Sequence, residues 1–198
     1  MRRSTLLLLL VLTATPAPSL AQEGPSEHID GFGGFPWGAS RPELEARLGA
    51  PLQAETLETG FTVLAWPARF ADTTVVALYG LVPDEGLVKG QYTLRWAEGD
   101  DCVALFRSFR SAFTLRFPLL VPEDRSYNEL GSAFCDAVVE GRAGWITQWD
   151  DEDSGARARV VIDAGRTRVN AVVESAAFLV WLDRTTPAGT DAEETPGR

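Results

Sequence analysis

The chain has 198 residues, a formal net charge of −10 at pH 7 and 45% hydrophobic residues, which suits one domain or two small halves that share a core. The acidic charge disfavours binding to nucleic-acid phosphates and to anionic lipid headgroups, and it suits basic partners or simple solubility. His28 is the only histidine, and it falls in a segment predicted to be flexible. A histidine-based catalytic triad and the common zinc sites are therefore not expected.

Residues 1–21 have the pattern of an export signal that is cut after Ala21. Two arginines precede an apolar run from Leu6 to Leu12, and small residues lie before the cut. The run is shorter than the roughly 20 residues that cross a bilayer, so a retained membrane anchor is not expected. No cysteine lies directly after Ala21 to accept a lipid. Removal of residues 1–21 also removes two arginines, which changes the formal net charge from −10 to −12. The sequence therefore predicts a soluble periplasmic or secreted protein.

A first structural unit is predicted at residues 32–98, after a polar and turn-rich lead-in at 22–31 that we expect to be flexible. Ser40 and Glu43 have the spacing of a capping box, and Gly49 suits the other helix end, so a helix is predicted between Ser40 and Gly49. Strands are predicted after it at Phe61–Trp66, Thr73–Leu81 and Val88–Trp96. The last of these alternates between apolar and polar residues, which is typical of a strand with one buried face.

A second unit is predicted at residues 99–183, followed by an acidic tail at 184–198 that we expect to be disordered. Apolar residues at helical spacing predict a helix that begins after Asp101 and ends near Leu115. A short helix is expected around Asn128–Val139. Strands are expected at Trp145–Trp149, Ala156–Asp163 and Arg168–Glu174, with Phe178–Leu182 as a fourth strand or an extension of the third.

Both units place a helix before a set of antiparallel strands. Trp66 and Trp149 take corresponding positions in the two sets, and a similar apolar run and turn follow each of them. The sequence therefore predicts an α+β fold of two helix-plus-antiparallel-sheet repeats, with the helices packed on one face.

The segment from Phe35 to Pro51, which includes Trp37-Gly38 and the Ser40–Glu43 capping pattern, resembles the opening of exported bacterial proteins of the SmpA/OmlA (BamE-like) fold. Tandem copies of a related unit make up the β-lactamase inhibitor protein, which binds its enzyme with an aromatic-rich sheet face. The resemblance implies this fold and a protein-binding role. The chain departs from the BamE-like lipoproteins because it lacks the lipid-acceptor cysteine, and from the inhibitor because it has one cysteine pair in place of a disulfide in each repeat.

Cys102 and Cys135 are the only cysteines. An even count in an exported protein predicts one disulfide, and two separate buried thiols are the alternative. No other cysteine or histidine lies near either residue in the sequence, so a metal site is not expected here.

Two of the six tryptophans, Trp145 and Trp149, share one face of a predicted strand. Tryptophan is enriched at the centres of protein interfaces, so these two residues are the candidate binding surface. The alternative is that they belong to the core, where large aromatic side chains are also common.

No nucleophile elbow or phosphate-binding glycine loop is present, and Asp150–Asp153 fits a hairpin turn better than a calcium loop. We therefore predict no catalytic residue, no cofactor and no metal. The leading hypothesis is a soluble, exported, non-enzymatic binding or accessory protein of the bacterial envelope that contacts a protein partner through a sheet face. The alternative is a carrier of a small apolar or aromatic ligand between helices and sheet. A carboxylate-dependent hydrolase is the least favoured hypothesis.

Overall fold

A computed structural model of the chain describes residues 24–97, 100–127 and 133–185, and every structural statement below concerns these residues. The predicted signal peptide at 1–21 and residues 186–198 of the predicted tail lie outside them. No helix in the described part of the chain has the length and apolar character needed to cross a membrane.

Ten strands form two antiparallel sheets. A small sheet contains β1 (Gly31–Phe32) and β2 (Phe35–Pro36). The strands of the main sheet are β3 (Gln53–Thr56), β4 (Thr62–Phe70), β5 (Thr73–Val82), β6 (Gly86–Arg95), β7 (Glu123–Tyr127), β8 (Gly144–Asp151), β9 (Ala156–Ile162) and β10 (Arg168–Glu174). Their spatial order is β3-β4-β5-β6-β10-β9-β8-β7, so two meanders meet where β6 pairs with β10. The predicted α+β class is confirmed.

Four helices accompany the sheets: α1 (Arg41–Leu48), α2 (Cys102–Arg116), α3 (Phe134–Val139) and α4 (Ala176–Thr185). The capping box predicted for α1 is present, because the Ser40 N–H donates to a Glu43 carboxylate oxygen over 2.7 Å. Asp101 caps α2 by accepting bonds of 3.0 Å from the backbone N–H groups of Val103 and Ala104. These side chains satisfy N–H groups that the first helical turn leaves unpaired.

One face of the main sheet, here called the core face, carries most of the buried side chains. Three phenylalanines of α2, Phe106, Phe109 and Phe113, pack against it and are 0–1% exposed. Their spacing of three and four residues places them on one side of the helix. Leu44 of α1 and Phe134 of α3 belong to the same cluster, so these three helices lie on the core face.

The fourth helix, α4, lies on the opposite face of the sheet. Its Phe178 and Trp181 pack against Phe61 of the first meander, with ring centroids 5.7 and 5.1 Å away. The prediction that Phe178–Leu182 is a strand is therefore wrong, and this fourth helix, which the sequence did not predict, does not share the face of the other three. Short apolar runs do not distinguish strand from helix, and the Ser175 hydroxyl, which accepts the Phe178 N–H over 3.1 Å, starts the helix.

The end of the segment before α1, from Ile29 to Phe32, is packed on the core face. Ile29 is fully buried, and its backbone N–H donates to the buried Asp151 carboxylate over 2.8 Å. Phe32 is also fully buried and lies over Gly90 of β6. At Ile29 to Gly31 this corrects the end of the flexible lead-in predicted at 22–31, where the anchoring effect of a single apolar residue within a polar segment was missed.

Candidate binding face of the sheet

Cys102 and Cys135 lie at disulfide-bonding distance, as predicted, with their sulfur atoms 2.04 Å apart. Cys102 is the first residue of α2 and is fully buried, and Cys135 belongs to α3. The bridge therefore ties two helices of the core face to each other.

The two tryptophans predicted as a binding surface are core residues. Trp149 is fully buried and meets Phe113 edge to face, and Trp145 is 9% exposed and stacks on Phe106 at 4.1 Å between ring centroids. They do share one face of β8, as their spacing predicts, but it is the core face. The expectation of an exposed Trp145–Trp149 surface is therefore corrected, and the alternative placement in the core is the observed one.

The face of the main sheet that does not meet α2 is here called the open face. It consists of the strand residues that alternate with the buried core positions, and α4 covers only the part of it next to Phe61, Val82 and Val88. Seven of its strand side chains are cationic: Arg69, Lys89, Arg95, Arg125, Arg157, Arg159 and Arg168. Four are carboxylates: Glu55, Glu123, Asp150 and Glu174. The open face thus has a cationic excess in a chain of net charge −10.

Charges at one end of the open face are paired. Glu174, whose side chain is 3% exposed, accepts from Lys89 over 2.8 Å and from Arg159 over 2.7 Å. Arg157 donates to Asp150 over 2.8 Å. Burial alone would raise the pKa of Asp150, but hydrogen bonds from Gln148 and Arg157 hold it below its ordinary value. These ion pairs satisfy the carboxylates within the sheet itself.

Arginines at the other end of the open face have no such partners. Arg95 of β6 and Arg168 of β10 lie directly opposite each other across the strand pair. Among the described residues, no carboxylate oxygen lies within 4.0 Å of either guanidinium group. The Nε atom of Arg168 is buried and has no hydrogen-bond acceptor within the same part of the chain. Arg69, at the same end of β4, donates to the backbone carbonyl of Asp72.

Polar and apolar side chains surround this arginine pair. Thr93 and Gln91 both donate to the Oδ1 atom of Asn170, over 2.7 and 3.0 Å, and so orient the Asn170 amide beside Arg168. Val76 of β5 is 38% exposed, and Val161 of β9 is half-buried on the same face. The open face therefore combines unpaired cationic groups with an apolar surface, which is the composition of many protein interfaces.

The arginine pair was not evident from the sequence. The alternation of β6 places Arg95 on the wet face of a strand, which is correct, but the partner strand of β6 is far away in the sequence. Thr93 and Asn170, which meet beside the pair, are 77 residues apart. Alternation shows which face a residue takes, but it does not show which distant strand lies beside it.

His28, Asp151 and Asp153 form the one described group whose ligand atoms could reach a common metal ion. The Nδ1 atom of His28 lies 3.6 Å from Asp151 Oδ2. Asp151 already accepts the Ser154 hydroxyl over 2.6 Å and the Ile29 N–H over 2.8 Å. Its carboxylate therefore anchors the turn before β9 to the N-terminal segment, which also fits the predicted hairpin turn at Asp150–Asp153.

Replacement of Asp151 by asparagine is expected to lower the free energy of unfolding by about 1–3 kcal/mol, because buried donors lose their charged acceptor. Burial alone would raise the pKa of Asp151, but hydrogen bonds from Ser154 and Ile29 hold it below the ordinary 3.8. A lowered folded-state pKa stabilises the fold above pH 3.8, and this stabilisation is lost as the pH falls through the folded-state pKa.

Urea unfolding at several pH values measures this effect. The gap between the parent and D151N should be widest near neutral pH and should shrink below pH 3.8. The exposed neighbour Asp153 provides the control, and D153N should change stability little. A gap that stays constant down to pH 2 would show that the charge of Asp151 does not stabilise the fold.

The space between α2 and the sheet is filled by aromatic side chains. Phe109 and Phe113 contact Phe70 at 5.0 and 5.4 Å between centroids, and Phe106 contacts Trp145. A separate, open cavity of about 400 Å³ lies near the β5–β6 turn, and its lining includes Ser40, Arg41, Asp84 and Glu85. This cavity is polar in part and lies away from the arginine pair.

Comparison with known protein families, with curated proteins and with solved structures found no match for this chain. The open face is therefore interpreted from its own geometry.

Proposed function

We propose that this chain is an exported, non-enzymatic binding protein of the bacterial envelope, and that it contacts a protein partner through the open face of its main sheet. The observation that supports the proposal is the part of this face that no described element covers. There Val76 and Val161 lie beside Arg95 and Arg168, which have no carboxylate partner among the described residues. Arginine and apolar side chains together are typical of the centre of protein interfaces.

The core side of the molecule supports the same function. Its aromatic residues pack between α2 and the sheet, where they stabilise the sheet. The Cys102–Cys135 pair at bonding distance suits an oxidising compartment such as the periplasm or the extracellular space, where disulfides persist. Both features fit a rigid scaffold that presents its other face.

The proposed tandem architecture also has support from the sheet order. The first meander, β3 to β6, follows α1, and the second, β7 to β10, follows α2. The two are arranged symmetrically about the β6–β10 pair, which places Trp66 of β4 and Trp149 of β8 in equivalent buried positions. We propose that the chain consists of two helix-plus-sheet repeats whose sheets join edge to edge.

Affinity purification with a matched pair of variants tests the proposed binding face. The tagged mature protein, V76D and L115D would each be used to capture partners from a periplasmic or secreted fraction. Val76 is an exposed apolar residue on the open face, and Leu115 is an exposed apolar residue of α2, on the other side of the sheet. A carboxylate at position 76 removes the apolar contact and places a competing acceptor beside Arg95, so it should weaken binding of a partner that uses this surface.

We expect a protein captured by the parent to be lost with V76D and retained with L115D. Equal capture by both variants would place the binding surface elsewhere. Recovery of a small molecule without any protein would favour the carrier hypothesis instead.

A further inference from the structure

We propose that Arg95 and Arg168 recognise carboxylate side chains in an acidic segment of the partner protein. This inference rests on the proposed function, because it assigns the chemistry of the partner that the open face would bind. It reverses the expectation from net charge alone, which favours basic partners for so acidic a chain.

Placement of the two arginines is unfavourable for the isolated protein. Like charges directly opposite each other on neighbouring strands destabilise a sheet, and Arg95 and Arg168 hold these positions in the register of β6 and β10. The next cationic positions on the same face, Lys89 and Arg159, share the buried Glu174. An arginine pair without a carboxylate partner among the described residues, next to cations that have one, is expected where an external anion completes the site.

Spacing and donor geometry fit a carboxylate. Adjacent strands lie about 4.8 Å apart, so one carboxylate can accept hydrogen bonds from both guanidinium groups. The Nε atom of Arg168 also has no acceptor within the described residues. Arg69 lies at the same end of the face, two strands from Arg95, and can meet a second carboxylate.

The surroundings favour an acidic protein segment over an extended polyanion. Salt screens charges beyond a Debye length of about 8–10 Å, so a short segment mainly meets the local arginines. A nucleic acid or an anionic membrane would extend across much more of a chain whose net charge is −10. The neighbouring Val76 and Val161 give apolar contact that a protein segment can match.

Fluorescence anisotropy with a labelled 12-residue peptide of alternating glutamate and serine tests the proposal. The protein is the mature chain, and a peptide with glutamine in place of glutamate is the uncharged control probe. The test variant is R95Q/R168Q. The matched control is R107Q/R142Q, which removes the same charge from exposed arginines on α2 and after α3, both on the core side of the sheet.

We expect the glutamate peptide to bind the parent and R107Q/R142Q within twofold of each other, and R95Q/R168Q at least tenfold more weakly. The glutamine peptide should bind the parent at least tenfold more weakly than the glutamate peptide. The melting temperature of R95Q/R168Q should equal or exceed that of the parent, because the like-charge contact is removed. If the double variant fails to fold, R95Q alone is measured in its place. Arg95 is an exposed residue at a strand end, so this substitution should leave the fold intact.

Equal binding of the glutamate peptide to the parent and to R95Q/R168Q would overturn the proposal, as would no binding to the parent. Sedimentation with phosphatidylglycerol vesicles that depends on the two arginines, without peptide binding, would assign them to a membrane surface and also overturn it. Partner capture separates the two levels of inference. If V76D abolishes capture while R95Q/R168Q captures normally, the open face binds the partner without recognition of its carboxylates, and the proposal for the arginine pair is overturned. If neither variant reduces capture, the proposed function itself is contradicted.

Discussion

Replacement of both Cys102 and Cys135 by alanine is expected to lower the free energy of unfolding by roughly 3–4 kcal/mol. The bridge closes a loop of 33 residues, and the expected loss follows from the chain entropy that the unfolded state regains when this loop opens. The same loss is expected for the parent protein under reducing conditions. Urea unfolding monitored by tryptophan fluorescence, with and without reductant, measures both.

A mass measurement after alkylation under denaturing conditions accompanies that experiment. The parent should take up label at two thiols only after reduction. The double alanine variant is the control, since its stability should be the same with and without reductant. Identical unfolding midpoints for the oxidised and the reduced parent would contradict a stabilising bridge between α2 and α3.

Replacement of Phe32 by alanine is expected to lower the free energy of unfolding by about 3–5 kcal/mol, the usual range for a fully buried phenylalanine. The Phe32 ring is fully buried and lies 5.1 Å from the Tyr79 ring and 4.6 Å from the Tyr92 ring, measured between centroids. It also connects the segment before α1 to the centre of the sheet. Removal of the ring therefore leaves a cavity and weakens the anchoring of that segment.

Gly90 makes this contact possible, and the pair allows a double-mutant test. A Cβ atom at Gly90 would overlap with the ring of Phe32, so G90A alone should destabilise the parent by about 1–3 kcal/mol or more. In the F32A background the same methyl group enters the vacated space, and G90A should have little effect or stabilise the protein. Gly24 is the control, because a Cβ atom there would have no neighbouring atom within 4 Å, and G24A should be neutral.

Urea unfolding of the four proteins gives the coupling energy between positions 32 and 90. Additive effects of F32A and G90A would show that the ring does not lie over the glycine.

Local signals in the sequence were sufficient for most regular elements. The Ser40–Glu43 pattern located α1, the spacing of Phe106, Phe109 and Phe113 located α2, and alternation located β6, β9 and β10. These signals depend on neighbours within one or two turns, so they can be recognised without knowledge of the tertiary structure. The strands β3 and β7 were missed because they lie at the two edges of the sheet, where charged and polar residues replace the apolar alternation.

Features that depend on distant parts of the chain were not predictable. The buried Ile29 is held in place by a bond from its N–H to Asp151, which lies 122 residues later. The interpretation of Trp145 and Trp149 as a surface failed because a shared face says nothing about which face is covered. The arginine pair depends on the register between β6 and β10, which only the folded sheet provides.

Joining of the two meanders at the β6–β10 pair has a consequence for the order of folding. Within each meander, strands that follow each other in the chain pair with each other, whereas Lys89 and Glu174 must meet across 85 residues of chain. Pairing of distant segments is slow because a large loop must close first. The Cys102–Cys135 bridge lies within this loop and bypasses 33 of its residues. The shorter loop lowers the entropic cost of closure by roughly half a kcal/mol. Oxidation of the cysteine pair before the two meanders join would therefore speed the step that completes the sheet and brings Arg95 and Arg168 together.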